Sequence, residues 1–115
     1  MSRVTKSLKA KVRHKKVLKA TKGYYGARSR LYKTAKQSNI KSLQYAFRDR
    51  KNKKRNFRSL WIARINSGTR EMEVSYSTFI NSLDRKNIIL NRKILSDLAI
   101  NDNQAFKKIV KTAVS

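Results

Sequence analysis

An all-α fold, with a long basic N-terminal helical extension followed by a small C-terminal helical bundle, is what three features of the sequence predict. The 115-residue chain has no Pro and only three Gly, none of them between Gly26 and Gly68, so nothing breaks a helix across that interval. Apolar residues in the second half recur at helical spacing. The charge is also unevenly placed: 21 Lys and Arg and one acid precede Trp61, a net +20, whereas nine bases and five acids follow from Trp61 onward, a net +4. An apolar content of 39% supplies one modest core for a chain of this length.

The first segment carries Val4, Leu8, Val12, Val17 and Leu18, a thin apolar stripe set among Lys and Arg. It predicts a helix in places, with little to pack against. In "KGYYGAR", Gly23 and Gly26 bracket two tyrosines and let the backbone turn sharply. From about 27 to about 66 the residues are mostly good helix formers and predict one long helix, a spacer as well as a surface. Its last part carries Phe57, Leu60, Trp61 and Ile65, an apolar stripe that leads into the bundle.

Three shorter helices follow. Tyr76, Phe79, Ile80 and Leu83 fall at i, i+3, i+4 and i+7 behind Ser75 as cap. Ile94, Leu95, Leu98 and Ala99 make a second stripe behind Asn91, and Phe106, Ile109, Val110 and Ala113 a third, with Asp102 placed to accept its free amides. "EVSYS" and "NIILN" are short enough for strands on propensity, but the helical spacing around them is better. The predicted division is residues 1–58 as a basic extension and 59–115 as a small all-helical domain.

The stretch "RDRKNKKRNFRSLW" joins the two. Residues 48–56 contain six Lys or Arg, one acid and no apolar side chain. In a helix, Arg50 with Lys54, Lys51 with Arg55, and Lys54 with Arg58 are like pairs at i, i+4, each costing roughly 0.2–0.5 kcal/mol at low salt. Asp49 with Lys53 returns about one such increment. The segment is therefore a latent helix that favours phosphates around it, since each cation then gains an anion and releases counterions.

Composition narrows the function classes. A net charge of +24 and a pI near 11.2 exceed what solubility requires and point to a polyanionic partner. With no Cys, disulfides, thiolate zinc sites and thiol catalysis are excluded together. No apolar run approaches the roughly 18 residues of a membrane span, and no signal-peptide core follows the N-terminus, so a soluble, non-secreted protein is expected. The basic start resembles a transit peptide in composition, but that composition continues to Arg58. A membrane-surface helix needs large apolar residues on one face, which residues 48–56 lack. Catalysis is not supported: His14 is the single histidine, in "RHKK" with no neighbouring carboxylate, and reads as a phosphate or base contact. Glu71 and Glu73 balance local charge, and "GYYG" lacks the strand before it and the Lys-Ser/Thr after it that a phosphate loop requires.

In order along the chain, "RHKKVLKATKGYYGARSRLYKTAKQ", "YAFRDRKNKKRNFRSLWIARIN", "SYSTF" and "LNRKILSDLAIND" resemble the successive signatures of the bacterial-type large-subunit ribosomal protein L-twenty family. The resemblance implies an RNA-binding structural protein whose basic extension threads into the large ribosomal RNA and whose small helical domain sits on the RNA surface. It implies a role early in large-subunit assembly. The partners are large-subunit ribosomal RNA, neighbouring large-subunit proteins and, in some bacteria, the protein's own messenger RNA. No cofactor, metal, membrane or homo-oligomer is expected. The location implied is the ribosome, in bacterial cytoplasm or in a plastid or mitochondrion. Competing classes are a DNA-binding architectural protein and an assembly factor absent from the mature particle. Where the family often has alanines and then a glycine before "SYS", this chain reads "SGTREMEVSYS", with Gly68 early, which predicts an earlier end to the long helix.

The candidate RNA contacts follow from charge, aromatic character and helix starts. On the extension they are Arg3, Lys6, Lys9, Lys11, Arg13, His14, Lys15, Lys16, Lys19 and Lys22, then Tyr24 and Tyr25 to stack or fill a turn against RNA, then Arg28, Arg30 and Lys33. The joining stretch adds Arg48, Arg50, Lys51, Lys53, Lys54, Arg55 and Arg58, and Arg64 lies beyond it. In the domain, Ser75, Tyr76, Ser77, Asn91, Arg92 and Lys93 gather at helix starts, where free backbone amides also attract phosphate. The extension is expected to hold RNA, and these fixed groups to recognise it.

Overall fold

The computed structural model describes residues 7–115. Its order is α1 (Ser7–Ala20), a 3-10 turn (Gly26–Ser29), α2 (Tyr32–Arg70), α3 (Tyr76–Arg85), α4 (Arg92–Asn101) and α5 (Asn103–Val114). No strand occurs among the described residues; "EVSYS" forms a turn and a helix start, and "NIILN" a loop. The packing divides into two units, one ending at Lys51 and the other Asn52–Ser115.

In the first unit, Thr21 and Ala35 are the buried residues among those described. No large apolar side chain is buried there, and Leu8 and Val12 are exposed, as the thin stripe implies. Local bonds hold the chain instead. Thr21 Oγ1 donates to the carbonyl oxygens of Val17 (3.2 Å) and Leu18 (3.3 Å), and Gly23 and Gly26 take φ of +88° and +60°, the left-handed values their type permits. The long helix starts later than the sequence suggests. The Ala27 carbonyl accepts from Arg30 N (3.2 Å), Leu31 N (2.8 Å) and Thr34 Oγ1 (2.9 Å), which winds residues 26–29 into a tighter turn before α2 begins.

The second unit has a true core. Ile65 of α2, Phe79 and Leu83 of α3, Leu95 of α4, and Phe106, Val110 and Ala113 of α5 form one buried cluster. Phe79 and Phe106 meet edge to face at 5.9 Å and 64°. The predicted caps form: Ser75 Oγ accepts from Thr78 N (3.2 Å), Asn91 Oδ1 from Ile94 N (2.9 Å) and Asp102 Oδ1 from Ala105 N (2.9 Å).

Two helix ends also explain themselves. Past α2, Val74 N donates to Thr69 O (3.1 Å) and Glu73 N to Arg70 O (3.0 Å), with Glu73 at φ +59°. Past α3, Ile88 N donates to Leu83 O (3.0 Å) and Asn87 N to Asp84 O (3.2 Å), with Asn87 at φ +53°. Both are paired-bond terminations with a left-handed residue, and in each the next residue, Val74 or Ile88, packs on the core.

Two expectations are corrected. The helix α2 does not end at about residue 66 but continues through Gly68 to Arg70. Gly68 is needed for contact: a Cβ there would lie 2.8 Å from Phe106 Cε1. The apolar stripe of Phe57, Leu60, Trp61 and Ile65 also reaches the core only at Ile65, since Phe57 and Leu60 are exposed and Trp61 is half-buried.

Candidate nucleic-acid interface

Of the predicted contacts, Arg3 and Lys6, like Val4 of the apolar stripe, lie outside the described residues. On α1, Lys9, Lys11, Arg13, Lys15, Lys16 and Lys19 are all exposed, followed by Lys22. The imidazole of His14 stacks on Tyr32 at 3.8 Å between ring centroids and 24° between planes. This fixes one ring face and leaves the residue's edge toward solvent, since His14 is exposed.

The two tyrosines of "KGYYGAR" diverge. Tyr25 is 94% exposed, a free aromatic face beside a sharp turn. Tyr24 is half-buried and shares a concavity with Arg28, Lys41 and Tyr45. Arg30 and Lys33 are exposed.

Along α2, every residue of 47–60 is exposed, so Arg48, Arg50, Lys51, Lys53, Lys54, Arg55 and Arg58 point outward in all directions. Asp49 pairs with its neighbour Arg48 at 2.9 Å and not with Lys53 as helical spacing suggests. Both side chains are about 60% exposed, so the pair adds little stability. Sequence reasoning missed a cation–aromatic series here. The Arg48 guanidinium sits 4.7 Å from the Tyr45 ring centroid, Lys41 Nζ 5.8 Å from the same ring, and Lys51 Nζ 5.6 Å from Phe47. The signal was present, since a base three or four residues from an aromatic on a helix shares its face.

In the second unit the helix starts show what each polar group already does. Ser75 Oγ caps α3 and lies 2.7 Å from Thr78 Oγ1 and 3.2 Å from Ser77 Oγ, a cluster of three hydroxyls. Asn91 commits its oxygen to Ile94 N and is exposed, so its amide protons remain free to donate. Arg92 Nε donates to Tyr76 Oη at 2.8 Å, tying the start of α4 to the start of α3. That bond explains a cation in the first turn of a helix, where the dipole disfavours it. Lys93 is exposed in that turn, and Arg64 is exposed on α2.

A further feature was not foreseen: a cleft of about 570 Å³ between α2 and the start of α4, lined by Trp61, Arg64, Asn91, Lys93, Ile94, Ser96 and Asp97. Elsewhere, Glu71 meets Lys107 at 3.5 Å across exposed surface. Among the described residues no three His, Asp or Glu side chains gather to hold a metal, and no helix is long and apolar enough to cross a membrane. The arrangement is one for holding a polyanion: cations on all sides of a helix, aromatic faces between them, and helix starts carrying free donors.

Comparison with known proteins gives the same direction. The family model described as Ribosomal protein L20 matches residues 3–109. The large ribosomal subunit protein bL20 of Marinobacter nauticus is 55% identical over 113 residues, covering 98% of this chain and 97% of the relative. The protein of the same name from Francisella philomiragia is 56% identical over 113 residues, covering 98% of this chain and 96% of the relative.

Proposed function

The chain belongs to the ribosomal protein L20 family, and from that premise we propose that it is a structural constituent of the large ribosomal subunit, holding large-subunit ribosomal RNA by phosphate neutralisation along its extension. It carries out no reaction of its own, being a member of a structural, non-enzymatic family. Its place is on the ribosome, in bacterial cytoplasm or in a plastid or mitochondrion.

The observation that carries this reading is the exposure of residues 47–60 on every side of a helix. A helix with no buried face and three like-charge i, i+4 pairs loses roughly 0.2–0.5 kcal/mol per pair in water. Surrounding phosphates turn each of those terms favourable. In this reading residues 1–58 are the RNA-penetrating extension and 59–115 the folded RNA-binding domain. Membership of the family implies a role early in subunit assembly, and a helix exposed on every side suits an extension that enters before the RNA closes around it. Neighbouring large-subunit proteins are further partners. The protein's own messenger RNA, a partner of the C-terminal domain in some bacteria of the family, is a further one in this reading.

Salt-dependent binding tests this. With about ten phosphate contacts, binding of the full chain to transcribed large-subunit ribosomal RNA should show a log–log salt slope near −9 for paired regions, shallower for single strands. A slope near −2 means that the extension is idle. Equal affinity for random duplex DNA at raised salt supports the architectural class instead.

A further inference from the structure

We infer that the cleft between α2 and the start of α4 takes a single unstacked nucleotide of RNA, its base against Trp61 and its phosphate toward Arg64 and Lys93. The inference rests on the RNA-binding reading above and names one site within it.

Four observations meet there. Trp61 is half-buried at the cleft wall, backed by Phe57 at 6.2 Å between ring centroids, so the indole is held at one side and offers surface at the other. Such a ring is a stacking platform for any base. Arg64 and Lys93 are exposed on opposite walls of the same cleft, which suits a phosphate between them. The N-terminus of the ten-residue α4 opens there, with Asn91 and Ile94 among the lining residues.

The fourth observation points to a ligand independently. Ser96 lines the cleft, is 1% exposed, and its Oγ is the buried side-chain oxygen among the described residues that has no hydrogen-bond partner. Other helix-borne hydroxyls in the chain satisfy themselves on a carbonyl three or four residues back: Thr69 on Asn66 O, Ser82 on Thr78 O and Thr112 on Lys108 O. Ser96 does not. A buried hydroxyl left without a partner is costly, and because its oxygen is closed to solvent at the cleft wall, a base edge supplies the partner only as that wall gives way to admit it.

The charge order along α4 orients the nucleotide. Lys93 lies one turn before Ser96 and Asp97, about 5 Å along the axis. A phosphate belongs at the Lys93 end, because the Asp97 carboxylate repels it from the other. Asp97 already accepts from Asn101 Nδ2 at 2.7 Å through Oδ1, and its second oxygen favours a base with an exocyclic amine over uracil.

Trp61 is the single tryptophan of the chain, so its emission reports on this cleft alone. The full chain is titrated at one salt concentration with transcribed large-subunit ribosomal RNA and with a fully paired RNA duplex, and retention on a filter measures binding in parallel. The expected result is strong quenching by the ribosomal RNA and almost none by the duplex. Trp61→Leu should lower affinity for the ribosomal RNA by about 5- to 150-fold, the range for one lost stacked base, with Trp61→Phe retaining most of it. Ser96→Ala should weaken the same RNA several-fold and leave duplex binding and the salt slope alone. Tight binding of the ribosomal RNA with unchanged tryptophan emission overturns the cleft and leaves the RNA-binding function standing. Failure to prefer ribosomal RNA over the duplex removes that function, and the cleft with it.

Discussion

Gly68→Ala should destabilise the second unit, although helix propensity alone argues the reverse. In an exposed helix interior this change gains about 1 kcal/mol. Here the new Cβ would stand 2.8 Å from Phe106 Cε1 and 3.4 Å from both Cδ1 and Cζ. Ordinary contact needs the nearest atom roughly half an ångström further away. The ring is fully buried and edge-on to Phe79, so it has no free volume to move into. Overpacking a filled core costs about 1–3 kcal/mol, and an intrusion on a fixed ring belongs in the upper part of that range. The net is a loss of about 1–2 kcal/mol, which lowers the midpoint of a domain this size by several degrees, at about 4–8 °C per kcal/mol. Thermal unfolding of the full chain, followed by circular dichroism at fixed salt, measures it. Phe106→Leu, itself destabilising, should absorb part of the added cost when combined with Gly68→Ala, giving a coupling of about 1 kcal/mol. A midpoint that is unchanged or raised in Gly68→Ala would mean that helix propensity outweighs the Phe106 contact.

Other outcomes follow from the helix ends and the domain's polar ties. Glu73→Gly should raise stability by about 0.5–1 kcal/mol in urea unfolding, since a left-handed φ costs a non-glycine residue about 1–2 kcal/mol and Gly returns part of that as chain entropy; a lowered midpoint contradicts the α2 termination described above. Arg92→Ala should reduce binding to the cognate ribosomal RNA more than to an unrelated structured RNA. Tyr76→Phe removes the acceptor of Arg92 Nε: a loss confined to Arg92→Ala makes Arg92 a contact in its own right, and an equal loss in both variants makes the Tyr76–Arg92 pair act as one unit.

Much of this was readable in the chain because the deciding groups are local. Ser75, Asn91 and Asp102 cap helices because a short oxygen-bearing side chain three residues before a free amide does so almost regardless of surroundings. The stripes on α3 and α5 became core because amphipathic period fixes which face turns inward. Period does not say how far along a helix a neighbour extends. The apolar run from Phe57 to Ile65 therefore looked like bundle surface, whereas three helices of 10, 10 and 12 residues cover only its last turns. Gly68 read as a helix stop because propensity is local, and the ring that requires it lies far along the chain at Phe106. Glu73 at a left-handed φ gave no signal, since its conformation follows from the two terminal hydrogen bonds and not from its type. The candidate cations of the extension were legible as charge, but the aromatic rings beneath Lys41, Arg48 and Lys51 were legible only as spacing. Ser96 sits between Leu95 of the apolar stripe and the exposed Asp97, off the face that the stripe turns inward by period, and nothing in "LSDL" marks its hydroxyl as buried.

A permanent part of the large subunit has a fixed copy number there, and that number can be measured. Large subunits and their precursors are purified from the source cells, washed in salt high enough to strip loosely held basic proteins, and the protein is quantified by mass spectrometry against isotope-labelled peptides. The expected result is one copy per mature large subunit, already present in early precursors and retained through the wash. Presence in precursors but not in mature particles, or recovery chiefly with DNA, contradicts it.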